Sequence, residues 1–338
     1  MDLHLTWFIL LGVLLAGYAV LDGFDLGVGA LHLFAKGDGE RRLMMNAIGP
    51  VWDGNEVWLV TGGGALFAAF PDVYATLASG FYLAVFLLLF SLIFRAVSIE
   101  FRSKQPSAYW RQIWDVTFAI ASILAAFLFG VVIGNLVWGI PLGADKEFRG
   151  STFGLLHPYA LLTGLTVVAV CMMHGSIFLT MKTEGKFHHK VRGWVKNSII
   201  FFVIMYGILT VATCLWVPHM VEKFKTFPVL FLIPVVNVLV VANVPWAIYQ
   251  KRDFLAFLSS CGGIVLLMVL LGVGIFPNLV LSNPHPEFSL SIYNASSSIK
   301  TLQTMLIIAL IGMPLVLAYT VAIYWIFRGK VKLDGHSY

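Results

Sequence analysis

Four carboxylates lie in stretches of the sequence that are otherwise apolar. Asp22 and Asp25 belong to Leu-Asp-Gly-Phe-Asp-Leu-Gly, and Asp53 and Glu56 belong to Trp-Asp-Gly-Asn-Glu-Val-Trp. Each pair is spaced three residues apart, so on a helix both members share one face. Because ionisable groups inside a bilayer are costly, they are interpreted as functional by default. The pairs predict a proton route or a cation site; the alternative is that they only hydrogen-bond neighbouring helices or Arg95.

The composition places these carboxylates in a membrane protein. Of 338 residues, 59% are hydrophobic and 12% are charged, with a mean hydropathy of +0.88. Soluble proteins are about 45–50% apolar and about 25% charged. These values exclude a soluble enzyme, a disordered chain and a nucleic-acid-binding protein. The three cysteines stand singly in apolar segments, which predicts neither disulfides nor metal ligands.

Roughly 20 apolar residues are needed to cross a bilayer as a helix, and eight segments reach that length. They are Trp7–Leu33, Tyr74–Glu100, Val116–Ile140, Leu155–Met181, Ser198–Val217, Val229–Tyr249, Phe254–Phe276 and Leu302–Phe327. A ninth segment, Ala47–Phe70, carries the second carboxylate pair, but Pro50 near its start and Pro71 after its end favour a span. We therefore predict an all-α polytopic membrane protein with nine transmembrane helices, forming one integral-membrane domain over residues 1–338.

The basic residues predict how these helices are oriented. With nine spans, 16 of the 22 lysines and arginines fall in one set of alternate connections and 5 fall in the other. The positive-inside rule then places the N-terminus outside and the C-terminus in the cytoplasm. At 1.5 Å per residue, Asp25 and Asp53 would each lie roughly 10 Å from the cytoplasmic ends of two neighbouring helices.

Other residues within the spans carry weaker signals. Arg95, near the inner end of its span, is predicted to snorkel to the interface, with pairing to an acidic face as the alternative. His174 is the one histidine well inside a span, whereas a haem bridging two helices needs two axial ligands, so this chain is expected to ligate none. Gly62–Gly64, Trp52 and Trp58 are interpreted as packing residues.

Several longer motifs resemble subunit II of the cytochrome bd quinol oxidases. The first are Leu-Asp-Gly-Phe-Asp-Leu-Gly-Val-Gly, at Leu21–Gly29, and the segment Pro50–Pro71 that contains Trp-Asp-Gly-Asn-Glu-Val-Trp. The likeness continues through Phe94–Arg95, Glu100–Lys104, Gly134–Pro141 and Asn294–Ser298, and it covers essentially the whole chain.

This resemblance implies a heterodimeric terminal oxidase of the bacterial inner membrane, in which quinol is oxidised, O2 is reduced to water and charge is separated. Subunit I would be the partner and would hold two haem b groups and one haem d. This chain would scaffold it, surrounded by membrane lipid, and no nucleic acid is expected to bind. Some members add a small single-span accessory subunit or hold a structural quinone.

The resemblance also assigns roles by position. Asp22, Asp25, Asp53 and Glu56 become candidates for a cytoplasmic proton path, and Trp58 becomes a candidate for the lining of an oxygen path. Glu56 stands where many members have glutamine, so its role is the least secure of the four. Two alternatives stay open from the residues: a proton- or sodium-coupled secondary transporter, and a purely structural subunit whose carboxylates fix the subunit interface.

Overall fold

Residues 2–333 of the computed structural model are described here, so residue 1 and residues 334–338 of the predicted domain lie outside the described part. Most of this part is helical. The helices are α1 (Leu3–Leu31), α2 (Asp38–Ile48), α3 (Trp52–Ala69), α4 (Pro71–Gly80), α5 (Tyr82–Phe101), α6 (Ala108–Trp138), α7 (Pro158–Lys182), α8 (Gly185–Trp216), α9 (His219–Thr226), α10 (Leu232–Tyr249), α11 (Asp253–Ile275) and α12 (Ile299–Ile326). Between α11 and α12, β1 (Asn278–Val280) pairs antiparallel with β2 (Leu290–Ser291).

Eight of the described helices are long and apolar enough to cross a membrane: α1, α5, α6, α7, α8, α10, α11 and α12. Helices α3 and α4 together pass the same test but meet at an angle of 118°. The described part of the chain therefore holds eight candidate spans, or up to nine if this bent pair is one span, as the sequence predicts.

Two predicted boundaries around the bent pair are wrong. The segment predicted as Ala47–Phe70 forms a helix only from Trp52, because α2 and a turn precede it. The segment predicted as Tyr74–Glu100 is divided between α4 and α5, with a break at Phe81. Pro71 has no backbone N–H to donate and stands at the first position of α4, so the chain starts a new helix there.

The basic connection predicted between the fifth and sixth spans is also mostly helical. Helix α8 begins at Gly185, whereas the sequence predicts a span from Ser198. The hydropathy of this stretch is low because it contains lysine and arginine, but both residues have good helix propensity. Hydropathy therefore identifies only the part of α8 that is apolar enough to enter a membrane, and it does not identify the first turns of the helix.

Helix α1 lies at the centre of the bundle and packs against α3, α6, α7, α11 and α12. Its closest approach is to α7, since a Cβ atom placed on Gly27 would lie 1.8 Å from the carbonyl oxygen of Cys171. Small residues allow helix backbones to meet in this way in a membrane. Of the triple glycine in α3, only Gly62 faces α1, while Gly63 and Gly64 have open space beside them.

Candidate functional site

The buried half of α1 carries the first carboxylate pair into the centre of the bundle. Every residue from Asp22 to Leu31 is buried, since neighbouring helices surround this part of α1 on several sides. Asp22 and Asp25 are both 0% exposed. We call the group that surrounds them the Arg95 cluster, and it consists of Asp22, Asp25, Asn55, Glu56 and Arg95.

Asp22 forms a bidentate ion pair with Arg95 of α5. Arg95 Nη1 donates to Asp22 Oδ2 at 2.8 Å, and Nη2 donates to Oδ1 at 2.5 Å. Both side chains are 0% exposed. The predicted snorkelling of Arg95 is therefore wrong. The alternative prediction, that Arg95 pairs with an acidic face, is confirmed. Burying a guanidinium without such a partner would be costly, because a buried charge must be paired and hydrogen-bonded.

Asp25 has a different environment, one turn further along α1. Its Oδ2 accepts a 2.7 Å hydrogen bond from Asn55 Nδ2, whereas its buried Oδ1 has no hydrogen-bond partner among the described residues. Asn55 also donates to the carbonyl oxygen of Leu21 at 3.2 Å and accepts from the hydroxyl of Tyr324 at 2.9 Å. Asp25 is thus held by an amide from α3, and no ion pair to it is formed within residues 2–333.

The second predicted carboxylate pair is split by the structure. Glu56 Oε1 lies 3.3 Å from Arg95 Nη1 and its side chain is 21% exposed, so Glu56 joins the cluster at its edge. Asp53 lies in the first turn of α3 and is exposed, without a hydrogen bond or ion pair in the described part of the chain. It is nearer the helix start than predicted, because α3 begins at Trp52.

Trp58 lies against α1, one turn beyond the cluster. It is 8% exposed and forms an apolar group with Leu14 and Tyr18. A Cβ atom on Gly17 would come within 2.4 Å of the Trp58 ring, so the glycine makes room for the indole. This contact agrees with the interpretation of Trp58 as a packing residue.

The deep histidine predicted in α7 is engaged within the chain. His174 is 0% exposed, with Nδ1 2.7 Å from the hydroxyl of Ser260 and Nε2 2.9 Å from the carbonyl oxygen of Val20. With both ring nitrogens within hydrogen-bonding distance of protein atoms, neither is free to bind a haem iron. His174 instead links α7 to α1 and α11.

A second charged group, which sequence reasoning missed, lies where α1 ends and α6 begins. We call it the Asp115 network. Asp115 is 1% exposed, and its carboxylate contacts His32 Nε2 at 2.6 Å, Arg102 Nε at 2.6 Å and Arg41 Nη1 at 2.8 Å. Arg102 also binds Asp38 at 2.8 Å. The signal that marks this network in the sequence is an aspartate at the very start of a strongly apolar stretch.

The two charged groups differ in what they can do chemically. In the Asp115 network two carboxylates meet several cations, which suits a structural tie between helix ends. In the Arg95 cluster two carboxyl groups, Asp22 and Glu56, contact one guanidinium, and a third, Asp25, is held beside them by Asn55. Like charges disfavour one another at close range, so such a group is suited to hold and exchange protons.

Together, these features define a multi-pass helical membrane protein with an ion-paired carboxylate cluster in its core. The chain belongs to the family of cytochrome bd terminal oxidase subunit II, whose sequence profile matches residues 3–327. It is therefore a subunit of a terminal oxidase complex, an oxidoreductase, and a subunit II implies a subunit I as its partner.

Individual relatives agree with this assignment over the full length. The chain is 34% identical to cytochrome bd-I ubiquinol oxidase subunit 2 of Escherichia coli K12, over 98% of this chain and 96% of the relative. It is 34% identical to cytochrome bd ubiquinol oxidase subunit 2 of Bacillus subtilis, over 98% and 97%. The bd oxidase structure from Geobacillus thermodenitrificans has the same fold, with a TM-score of 0.80 at 16% identity, covering 97% and 99% of the two chains. These similarities support the oxidase and not the secondary transporter.

Proposed function

We propose that this chain supplies a cytoplasmic proton path, through the Arg95 cluster, to a heterodimeric quinol oxidase, and that it scaffolds the haem-bearing subunit I. The observation that carries this proposal is the contrast between two neighbouring carboxylates. Asp22 is locked to Arg95 by two hydrogen bonds, whereas Asp25 is equally buried and keeps one oxygen without a partner among the described residues. A buried carboxyl group that is not tied to a cation can alternate between its protonated and ionised forms.

The exposure of the four carboxylates suggests an order for this path. Asp53 is exposed at the start of α3, Glu56 is partly exposed one turn later, and Asp25 is fully buried. Protons would therefore be collected at Asp53, pass along the shared face to Glu56 and reach Asp25. Asp22 would act through Arg95, by holding a positive charge that attracts the other carboxylates and limits their mutual repulsion.

The proposed orientation has the N-terminus outside and the C-terminus in the cytoplasm. The basic-rich connections contact one another, as in Lys190 with Glu40 at 2.5 Å and Arg192 with Asp253 at 2.8 Å. At the opposite helix ends, Lys146 binds Asp72 at 2.5 Å. This arrangement supports the division of the basic residues into two sides, and the positive-inside rule makes the richer side cytoplasmic. The access point at Asp53 then faces the cytoplasm.

The proposed complex carries its redox groups on subunit I: two haem b and one haem d. When bound there, they would take electrons from quinol and reduce O2 to water. His174 itself does not fit the role of haem ligand, because both of its ring nitrogens already contact protein atoms. The names of the E. coli and B. subtilis relatives support ubiquinol as the class of substrate. A small accessory subunit and a structural quinone remain further proposals.

We assign the complex to the bacterial inner membrane, and we assign residues 1–338 to one integral-membrane domain. The support for one domain is the packing of α1 against helices from both halves of the chain, among them α3 and α11. Trp58 remains a candidate for an oxygen path because its surroundings are apolar, including Leu14 and Leu59.

Asp25→Asn in the purified complex tests the proton role. The amide preserves the size of the side chain but cannot exchange a proton, so quinol oxidase turnover should fall while the haem bands keep their intensity. Asp145→Asn, a matched change at an exposed aspartate in the loop after α6, should leave turnover unchanged. If the haem d band or subunit I is lost with Asp25→Asn, the carboxylate holds the assembly together and the purely structural alternative is favoured.

A further inference from the structure

Among the described residues, the last span forms its hydrogen bond to the Arg95 cluster through Tyr324. Tyr324 lies near the end of α12 and donates to Asn55 Oδ1 at 2.9 Å, across 269 residues of sequence. Asn55 is 2% exposed and donates to Asp25 Oδ2 at 2.7 Å. A continuous chain of two hydrogen bonds therefore joins α12 to the buried carboxyl group on α1.

The acceptor atoms fix the donor-to-acceptor direction of these two hydrogen bonds. The carbonyl oxygen of Leu21 can only accept, so the Asn55 atom that faces it must be the nitrogen. The same nitrogen then donates to Asp25, and the amide oxygen points to the hydroxyl of Tyr324. With Oδ2 of Asp25 committed to accepting from an amide, Oδ1 is the atom that remains to take a proton.

Tyr324 is well placed to hold Asn55 in this position. Helix α12 packs mainly against α1 and α3, and its end is also held to α7, since Lys182 donates to the carbonyl oxygen of Phe327. A cleft of about 20 Å³, enough for one water molecule, lies beside the bond and is lined by Asn55, Tyr319 and Tyr324. Without the tyrosine hydroxyl, the buried amide oxygen of Asn55 would lose its protein partner.

We infer that Tyr324 is a positioning residue for Asp25, which acts through Asn55 to make Oδ1 of Asp25 the proton-accepting atom. The inference rests on the proposed proton role of Asp25. It gives α12 a part in the path without requiring Tyr324 or Asn55 to carry the proton, since a neutral amide is not a proton carrier.

Infrared difference spectra of the reduced and oxidised complex provide the test. Asp25→Asn should remove one carboxyl C=O band, which identifies that band as Asp25. Asn55→Ala removes the donor to Oδ2, so the band should move to higher frequency. Tyr324→Phe should shift it in the same direction by a smaller amount, because Leu21 still orients the amide. Tyr319→Phe, at an exposed tyrosine that lines the same cleft, should leave the band in place.

The outcomes separate this inference from the proposed function. If Asp25→Asn removes no band, the proton role of Asp25 fails, and the inference falls with it. If the Asp25 band is present but Tyr324→Phe leaves its frequency unchanged, as Tyr319→Phe should, the proton role of Asp25 stands. The positioning role of Tyr324 is then overturned. Asn55→Ala, which does not alter α12, keeps the middle link testable if Tyr324→Phe prevents assembly; an unshifted band in that variant also overturns the inference.

Discussion

The ion pair between Arg95 and Asp22 predicts a large and asymmetric loss of stability when either partner is removed. Both side chains are 0% exposed and share two hydrogen bonds. Removing one partner of a buried pair leaves an uncompensated charge and costs about 3–5 kcal/mol. Arg95→Met should approach this value, since Asp22 has no other ion-pair partner in the described chain. Asp22→Asn should cost less, because Arg95 keeps Glu56 at 3.3 Å.

Equilibrium unfolding of the purified complex, for the two single variants and the double variant, measures these costs as a double-mutant cycle. The double variant should be less destabilised than the sum of the single variants, by roughly 1–3 kcal/mol. Arg149→Met is the matched control, because Arg149 is 61% exposed in its pair with Asp145; it should cost at most about 1 kcal/mol. Strictly additive costs, or an Arg95→Met variant as stable as the control, would refute the ion pair as a structural element.

Three further predictions concern packing and charge. Gly27→Ala should destabilise the complex by about 1–3 kcal/mol in thermal unfolding, since the added methyl meets the α7 backbone, whereas Gly12→Ala, with nothing within 4 Å, should be neutral. Asp115→Asn should cost about 3–5 kcal/mol in the same assay, because buried Arg102 and partly buried Arg41 lose a shared partner. Glu56→Gln should lower the quinol oxidase turnover, because the amide oxygen can still face Arg95 but the amide cannot pass a proton on to Asp25; turnover at the wild-type rate would remove Glu56 from the path.

Much of the fold follows from hydropathy because a membrane imposes a fixed length on each apolar helix. Spans such as the one predicted at Phe254–Phe276 agree with the structure to within one residue at each end. The sequence does not predict the bend between α3 and α4. Hydropathy measures the length of an apolar stretch and says nothing about its direction, so residues that turn by 118° still look like the start of the next span.

The sequence predicts which residues belong to the candidate site better than it predicts which of them contact each other. Spacing places Asp22 and Asp25 on one face of α1, but it does not say which of them meets Arg95, 73 residues away. That pairing depends on how α1 and α5 are rotated, which tertiary packing decides. For a related reason, the sequence does not predict the Asp115 network. Its arginines also contribute to the positive-inside pattern, and their count carries no information about the carboxylate that they surround.

Proton uptake from the cytoplasmic side of the reconstituted complex tests the central claim most directly. If Asp25 carries protons to the site of oxygen reduction, Asp25→Asn should slow uptake by roughly a hundredfold, which is the scale of one acid–base group. The haem spectrum and the transfer of electrons from quinol to the haems should be unchanged. Uptake at the wild-type rate in a fully assembled Asp25→Asn complex would contradict the account and leave the Arg95 cluster with a structural role alone.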